Sequence, residues 1–420
     1  MEDFYQNSTG YNEQKTLQGY TLDAPSAPSY SHQDVVQEVS PQSYSNPVVS
    51  QSPKPIEYQT TPPQVQSDID MNSLLHFMVE KDASDLHISV GVPPIARQQG
   101  KLLPIPGMPV ITPQLAEKLI GSILSDDQKK KYEKELELDY SYPFKDLARF
   151  RVNAFRQKAY CSAALRKIPT QPVPLEDLHL PSVITKLSEL SKGLIIVTGP
   201  TGSGKSTTLA AIIDRINRHR NEHIITIEDP IEFQHSHKKS IVQQREVGED
   251  TTTFAKALKS VLRQDPDVVL IGEMRDLETI SAAISTAETG HLVFGTLHTN
   301  TAPSSIDRMI DVFPPHQQQQ IRMQLSSSLQ AVISQRLVPN LQGTRTCVME
   351  ILIVNSAIRN LIREGKTHQI ESMMISGRGE GMQLFDSTLT EYVKKGQISF
   401  EVALGYANDQ KQFSESCGKR

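Results

Sequence analysis

The stretch GLIIVTGPTGSGKSTT, residues 193–208, decides the fold. An apolar run from Leu194 to Val197 enters a glycine-punctuated loop, and Lys205, Ser206 and Thr207 open a helical pattern that continues as LAAIIDRINRH. A strand, a G-x-x-x-x-G-K-S loop and a helix, in that order, make a cradle for the phosphates of a nucleoside triphosphate. Glycines at 199, 202 and 204 let the loop turn its N–H groups inward, with Pro200, Thr201 and Ser203 between them, and the helix start adds its positive dipole end. Lys205 is expected to reach the β- and γ-oxygens of ATP and the Ser206 hydroxyl to hold Mg²⁺. Thr207 and Thr208 are expected to support the α-phosphate and the helix start.

Outward from this loop, apolar strands recur at LIIVT (194–198), HIITI (223–227), DVVLI (267–271) and HLVFGTL (291–297), with amphipathic helices between them. Such alternation predicts a parallel sheet covered on both faces. Residues 183–410 therefore read as a RecA-like α/β core with C-terminal helices, and 411–420 as a tail. Upstream, MNSLLHFMVE and TPQLAEKLIGSIL read as helices, the second with Thr112 as N-cap and Pro113 in its first turn. SDDQKKKYEKELE reads as a charged helix, and ARFRVNAFRQ with CSAALRKI as a hairpin. Residues 68–172 thus form a small α+β domain, followed by a proline-rich linker at 173–182. Residues 1–67 contain no arginine and six of the chain's 12 tyrosines amid Ser, Pro and Gln. They cannot bury enough apolar surface to offset their ordering entropy and read as disordered.

A phosphate loop needs an acidic strand end beside it to hold the magnesium water shell. DPDVVLIGEMRD (265–276) supplies one, placing Glu273 just past an inner strand, so Mg²⁺ is expected between Ser206 and, through water, Glu273. TIEDPIEF (226–233) adds Glu228, Asp229 and Glu232 around Pro230. Hydrolysis needs a carboxylate to orient and deprotonate the attacking water, and spacing alone does not rank Glu228 against Glu232. HLVFGTLHTNTA (291–302) puts His291 and His298 at the two ends of one apolar strand, where seven residues of separation point them to opposite faces, so they are not expected to share a metal. His298 stands at the edge where a γ-phosphate could be sensed, whereas His291 reads as a satisfied core or interface histidine. Arg149, Arg151, Arg156 and Arg166 come from the upstream hairpin. An arginine delivered to the phosphates from another domain or subunit would neutralise developing charge, while strand arginines otherwise just solvate an exposed face. NSAIRNLIREGK (355–366) has apolar residues at helical spacing, a cap at Asn355 or Ser356 and a stop at Gly365, the pattern of an ordinary amphipathic helix.

Composition narrows the partners. A net charge of −5 over 420 residues offers no field to gather nucleic acid or acidic lipid, and there is no tryptophan. Three scattered cysteines exclude a disulfide framework and a cysteine-ligated zinc module. No apolar run is long enough to span a membrane, and the acidic start MEDFYQNSTG is unlike a signal peptide, so a cytoplasmic protein is expected.

Together these motifs resemble the bacterial secretion and assembly ATPases, and within them the type IV pilus retraction ATPases, from about Met71 to Ala407. DASDLHISVGVPPIAR, GPTGSGKST, TIEDPIEF, VVLIGEMRD, HLVFGTLHTN and GMQLFDSTL carry the resemblance. AIRNLIREGK, from Ala357, Ile358, Arg359, Asn360 and Leu361 through Ile362, Arg363 and Glu364 to Gly365 and Lys366, resembles the motif tied in that family to retraction rather than to hydrolysis. The resemblance implies Glu232 as the catalytic carboxylate, Glu273 as the Walker-B glutamate, and Arg151, Arg166 and Arg308 as arginines contributing to nucleotide contacts. It also implies a PAS-like N-terminal domain, a homohexameric ring, and work at the inner-membrane face with the pilus platform protein, pilin and a paralogous retraction ATPase. Pilus-assembly or type II export ATPases are the nearest rival reading, but usually carry a tetracysteine module. A nucleic-acid motor is the rival from another class, and no stable nucleic-acid binding is expected.

Overall fold

The computed structural model describes residues 69–419, apart from 146 and 170; the segment 1–67 expected to be disordered lies outside the described residues. The first half is built on one antiparallel sheet. α1 (Met71–Glu80) starts where the Asp70 carboxylate accepts the Ser73 N–H at 2.8 Å, and it buries Met71, Leu74, Leu75 and Met78. β1 (Asp85–Ile88), β2 (Ile95–Gln98) and β3 (Lys101–Pro104) follow, then α2 (Pro113–Gly121) and α3 (Asp126–Glu135). Thr112 caps α2, and Ser125 with Gln128 closes a capping box on α3. β4 (Glu137–Phe144), β5 (Ala148–Gln157) and β6 (Tyr160–Ile168) complete a six-stranded sheet in the order β3-β2-β1-β6-β5-β4. Lys158 and Ala159 turn the β5–β6 hairpin, both at positive φ, as a two-residue hairpin turn requires. Its register sets Arg151 directly opposite Arg166.

The second half begins with α4 (Ser182–Leu187) and β7 (Gly193–Thr198), whose six residues are all buried. α5 (Lys205–His219), β8 (His223–Glu228), β9 (Ile241–Glu246), α6 (Phe254–Val261), β10 (Val268–Ile271), α7 (Leu277–Glu288) and β11 (Leu292–Thr296) continue the alternation. α8 (Ala302–Asp311) and α9 (Pro315–Ser328) then lead into β12 (Leu329–Pro339) and β13 (Arg345–Ile353). The sheet runs β13-β12-β7-β11-β10-β8-β9. Six strands are parallel, as the alternation predicts, but β13 is antiparallel to β12. The short 340–344 turn explains the difference, because a parallel return would need a crossover far longer than that. One face of the sheet packs on α4 and α5, the other on α6 to α10, where α10 is Ser356–Glu364.

α11 (Ile370–Ser376), α12 (Phe385–Lys394), α13 (Phe400–Tyr406) and α14 (Gln410–Ser416) end the chain. Residues 411–420, read from sequence as a tail, are corrected here through Ser416: Phe413 is 1% exposed and stacks on Phe400, which holds α14 against its neighbours. The 173–182 segment is likewise fastened down. Leu175 is buried, and Glu176 accepts from Arg215 at 2.7 Å and Arg218 at 2.9 Å on α5. The three cysteines are free, and no helix among the described residues is long and apolar enough to cross a membrane.

Candidate active site

The glycine loop joins β7 to α5 at the C-terminal edge of the sheet. Gly199 has φ +137°, and a Cβ there would lie 2.2 Å from the Gln335 carbonyl oxygen, so only glycine fits. Lys205, the first residue of α5, folds its ammonium back to donate to the carbonyls of Gly199 at 2.8 Å and Pro200 at 3.1 Å. Burial pulls its pKa down, and the charges of Glu273 and Glu232 act against that shift.

A cleft of about 500 Å³ opens over this loop. Thr201 to Thr207 line its floor, Glu228, Asp229 and Glu232 one wall, Glu273 and His298 another, and Arg151 with Arg166 reach it from the first sheet. The cleft therefore gathers residues that the sequence separates by as much as Arg151 is from Arg345.

Each wall has its own local cause. β10 ends at Ile271, and the Gly272 N–H donates to Ile227 O at 2.7 Å, which delivers Glu273 beside the loop. The Glu273 carboxylate lies 3.0 Å from His298 Nε2 and also pairs with Arg275. His298 is held at the end of β11 because Thr198 Oγ1 donates to the neighbouring Thr299 carbonyl at 2.7 Å. His291, at the other end, has Nδ1 3.0 Å from both Thr286 O and Thr289 Oγ1, a satisfied structural histidine.

The two candidate carboxylates of the TIEDPIEF turn differ sharply. Glu228 accepts from the Thr226 hydroxyl at 2.6 Å, Gln244 Nε2 at 3.2 Å and the Glu232 N–H at 3.4 Å, and burial raises its pKa. Glu232 is exposed at the cleft, and its carboxylate accepts no hydrogen bond from the described residues. Glu228 thus braces the turn while Glu232 is left available. The turn contains a cis Asp229–Pro230 bond, and its Ile231 N–H donates to Glu246 Oε2 at 3.2 Å. Glu246, 3% exposed on β9, also receives Arg149 Nη2 at 3.0 Å from the first sheet. Arg149 is therefore not a solvated strand arginine but one half of a buried ion pair next to the cleft.

Arg151 and Arg166 stay largely exposed; Arg166 donates to Asp85 at 2.8 Å, and Arg151 is 3.9 Å from Asp139. Arg308 is exposed on α8 and does not line this cleft. Leu337 and Arg345, from β12 and β13, do line it and escaped the sequence reading, since no local motif links that hairpin to the loop.

The α10 motif lies apart from the cleft. Asn355 caps it by accepting the Ile358 N–H at 3.1 Å, and Gly365 closes it at φ +69°. Ile358 and Ile362 are buried and Leu361 is half-buried, with Ala357 beside them. Arg359 is structural: Nη1 donates to the Ser326 and Ser327 carbonyls at 2.7 and 2.9 Å, capping the end of α9. Asn360, Arg363, Glu364 and Lys366 face outward.

Residues 146–405 match the family model for type II/IV secretion system proteins. The type IV pilus retraction ATPase PilT of Pseudomonas aeruginosa is 49% identical over 335 residues, covering 80% of this chain and 97% of that one. A twitching motility protein of Neisseria gonorrhoeae is 48% identical, covering 76% of this chain and 86% of its own length. A crystal structure of the pilus retraction motor PilT with bound ADP superposes with a TM-score of 0.78 at 47% identity, covering 82% of this chain and 98% of that one. The chain belongs to the type II/IV secretion ATPase family, and within it to the pilus retraction ATPases.

Proposed function

We propose that the cleft binds and hydrolyses ATP and that the released energy drives retraction of a type IV pilus, giving twitching motility. One observation carries the reading: the glycine loop, the carboxylates Glu232 and Glu273 and two arginines of the other sheet meet in a single cleft. The ADP held by the similar PilT structure supports it.

The residues fit a triphosphate. The loop is a Walker A cradle whose N–H groups and Lys205 would hold the phosphates. Among the described residues no cluster of three metal-ligating side chains stands ready for an ion. Mg²⁺ held by the Ser206 hydroxyl, with Glu273 through water, would depend on the phosphates for further oxygens and would supply charge neutralisation there. Glu232, the free carboxylate, orients the attacking water and accepts its proton. His298, tied to Glu273, reports the state of the γ-phosphate position to the strand-end loop. Arg151 and Arg166 bring positive charge from the small PAS-like domain, so a change in the phosphates alters the pull between the two domains. We read the chain as domains 68–172 and 183–410 joined by the 173–182 segment. Copies assemble as a homohexamer at the cytoplasmic face of the inner membrane, against the pilus platform protein and pilin.

The test is a count of surface pili, with twitching scored, in cells whose only copy carries Glu273→Ala. Abundant pili without twitching are expected. Bare cells would mean that the motor extends fibres, and unchanged pili would point to export or nucleic-acid transfer. In vitro, normal ATP turnover by Lys205→Ala would overturn the site assignment.

A further inference from the structure

Behind the glycine loop stands a residue that no motif announces. Gln335 is on β12, whose parallel pairing with β7 sets Ser334 opposite Thr198, the last residue before the loop. Its side chain is fully buried, and Nε2 donates to the Ser203 carbonyl at 2.8 Å. Its own backbone oxygen occupies the space that a Cβ on Gly199 would need, and Nε2 sits 3.2 Å from where a Cβ on Gly204 would lie. One side chain and its carbonyl thus bear on the start, middle and end of the loop. The next residue back divides the labour: the Ser334 hydroxyl donates at 2.7 Å to Asn300 O, in the loop that carries His298.

We propose that Gln335 is a positioning residue for the nucleotide, holding the 199–204 loop in the shape that accepts phosphate. This rests on the ATP-binding reading of the cleft. Gly199, Gly202 and Gly204 all sit at positive φ, a conformation that glycine enters freely and also leaves freely. A loop of that kind must be ordered when ligand binds unless something orders it beforehand, and preordering appears directly as affinity. Gln335 does not line the cleft, so it acts through Ser203 and not by touching phosphate. The orientation of its amide follows from the partner, because a carbonyl accepts only from Nε2; the Oε1 atom is buried without a partner. Methionine of similar volume therefore forfeits one loop-holding hydrogen bond and little else.

The experiment uses the full chain with MgADP as probe. Gln335→Met should bind ADP about tenfold more weakly, the effect of one lost hydrogen bond. KM for ATP should rise in step while kcat at saturation falls less than about threefold, because the chemistry residues are untouched. The thermal midpoint without nucleotide should shift by no more than a few degrees, as expected if the main loss is in the liganded state. Gln335→Leu is the second variant: it has no donor for Ser203 O and should weaken ADP binding as well. If both variants bind ADP within about twofold of wild type, or both fail to fold, the assignment is wrong. If wild-type protein itself ignores ADP, the ATP-site reading falls instead.

Discussion

Arg149→Met removes the cation that faces Glu246 across the two sheets. The pair is 3.0 Å apart, with Glu246 3% and Arg149 21% exposed. At an effective dielectric near 20 the attraction is on the order of 5 kcal/mol, and the desolvation of Glu246 offsets much of it. Removing the arginine alone returns none of that desolvation. It leaves a buried carboxylate whose remaining donor is the Ile231 N–H, so we expect a loss of about 3 kcal/mol. Arg149→Met with Glu246→Gln removes the stranded charge as well and should recover about 2 kcal/mol of it. The assay is urea unfolding of wild type, Arg149→Met, Glu246→Gln and the double variant by far-ultraviolet circular dichroism, since the chain has no tryptophan to report by fluorescence. Turnover is the second readout. Glu246 fixes Ile231, and Glu232 is the next residue, so the single variant should also hydrolyse ATP several-fold more slowly. A coupling energy below about 0.5 kcal/mol together with unchanged turnover would refute the idea that this pair ties the first sheet to the TIEDPIEF turn.

Four further outcomes follow from the same geometry. Burial raises the pKa of Glu350, which is 4% exposed and accepts the Ala302 N–H at 2.6 Å. The folded state therefore binds that proton more tightly than the unfolded chain, and stability falls as pH rises through the interval between the two pKa values. Glu350→Gln should be more stable than wild type at about pH 8 and lose the advantage near pH 4, measured by thermal unfolding. Gly199→Ala forces a Cβ to 2.2 Å from Gln335 O at φ +137°, so ADP affinity should fall at least about tenfold by calorimetry, in a protein that still folds. On α10, Ile362→Ala opens a cavity at a fully buried site and should cost about 3 kcal/mol. Exposed Arg363→Ala should change stability by less than about 0.5 kcal/mol and keep ATP turnover, yet stop twitching if the outward face is what grips the machinery.

Legibility in the sequence followed the range of the interactions. The glycine loop, the acidic turn and the strand-end glutamate each lie within a dozen residues, and their patterns predicted both the elements and the shared cleft that contains them. Helix ends were equally readable, because Thr112, Asn355 and Gly365 act on groups three or four residues away. Long-range features were not. β9, β12 and β13 were not read as strands, and only the brevity of the 340–344 turn dictates the direction of β13. β2, β3 and β4 were overlooked because their patterns are weak: the first two have four residues each, all of β3 is exposed, and β4 contains Pro143.

The arginines show the same limit most clearly. Arg149 and Arg151 lie two apart on β5, where strand geometry alone would send both to one face and make both look like solvent-facing charges. What separates them is what the second sheet offers. Glu246 rises to meet Arg149 and buries it, while Arg151 is left over the cleft beside Arg166. No window of sequence contains that distinction, because Glu246 lies 97 residues from Arg149. The consequence is functional as well as structural. One arginine holds the two sheets together at the turn that carries Glu232, and its neighbour stays half-exposed over the cleft, 3.9 Å from Asp139. A charge-preserving Arg149→Lys should therefore keep part of the stability but loosen the turn, since a single ammonium on a flexible stem lacks the planar fork that fixes direction.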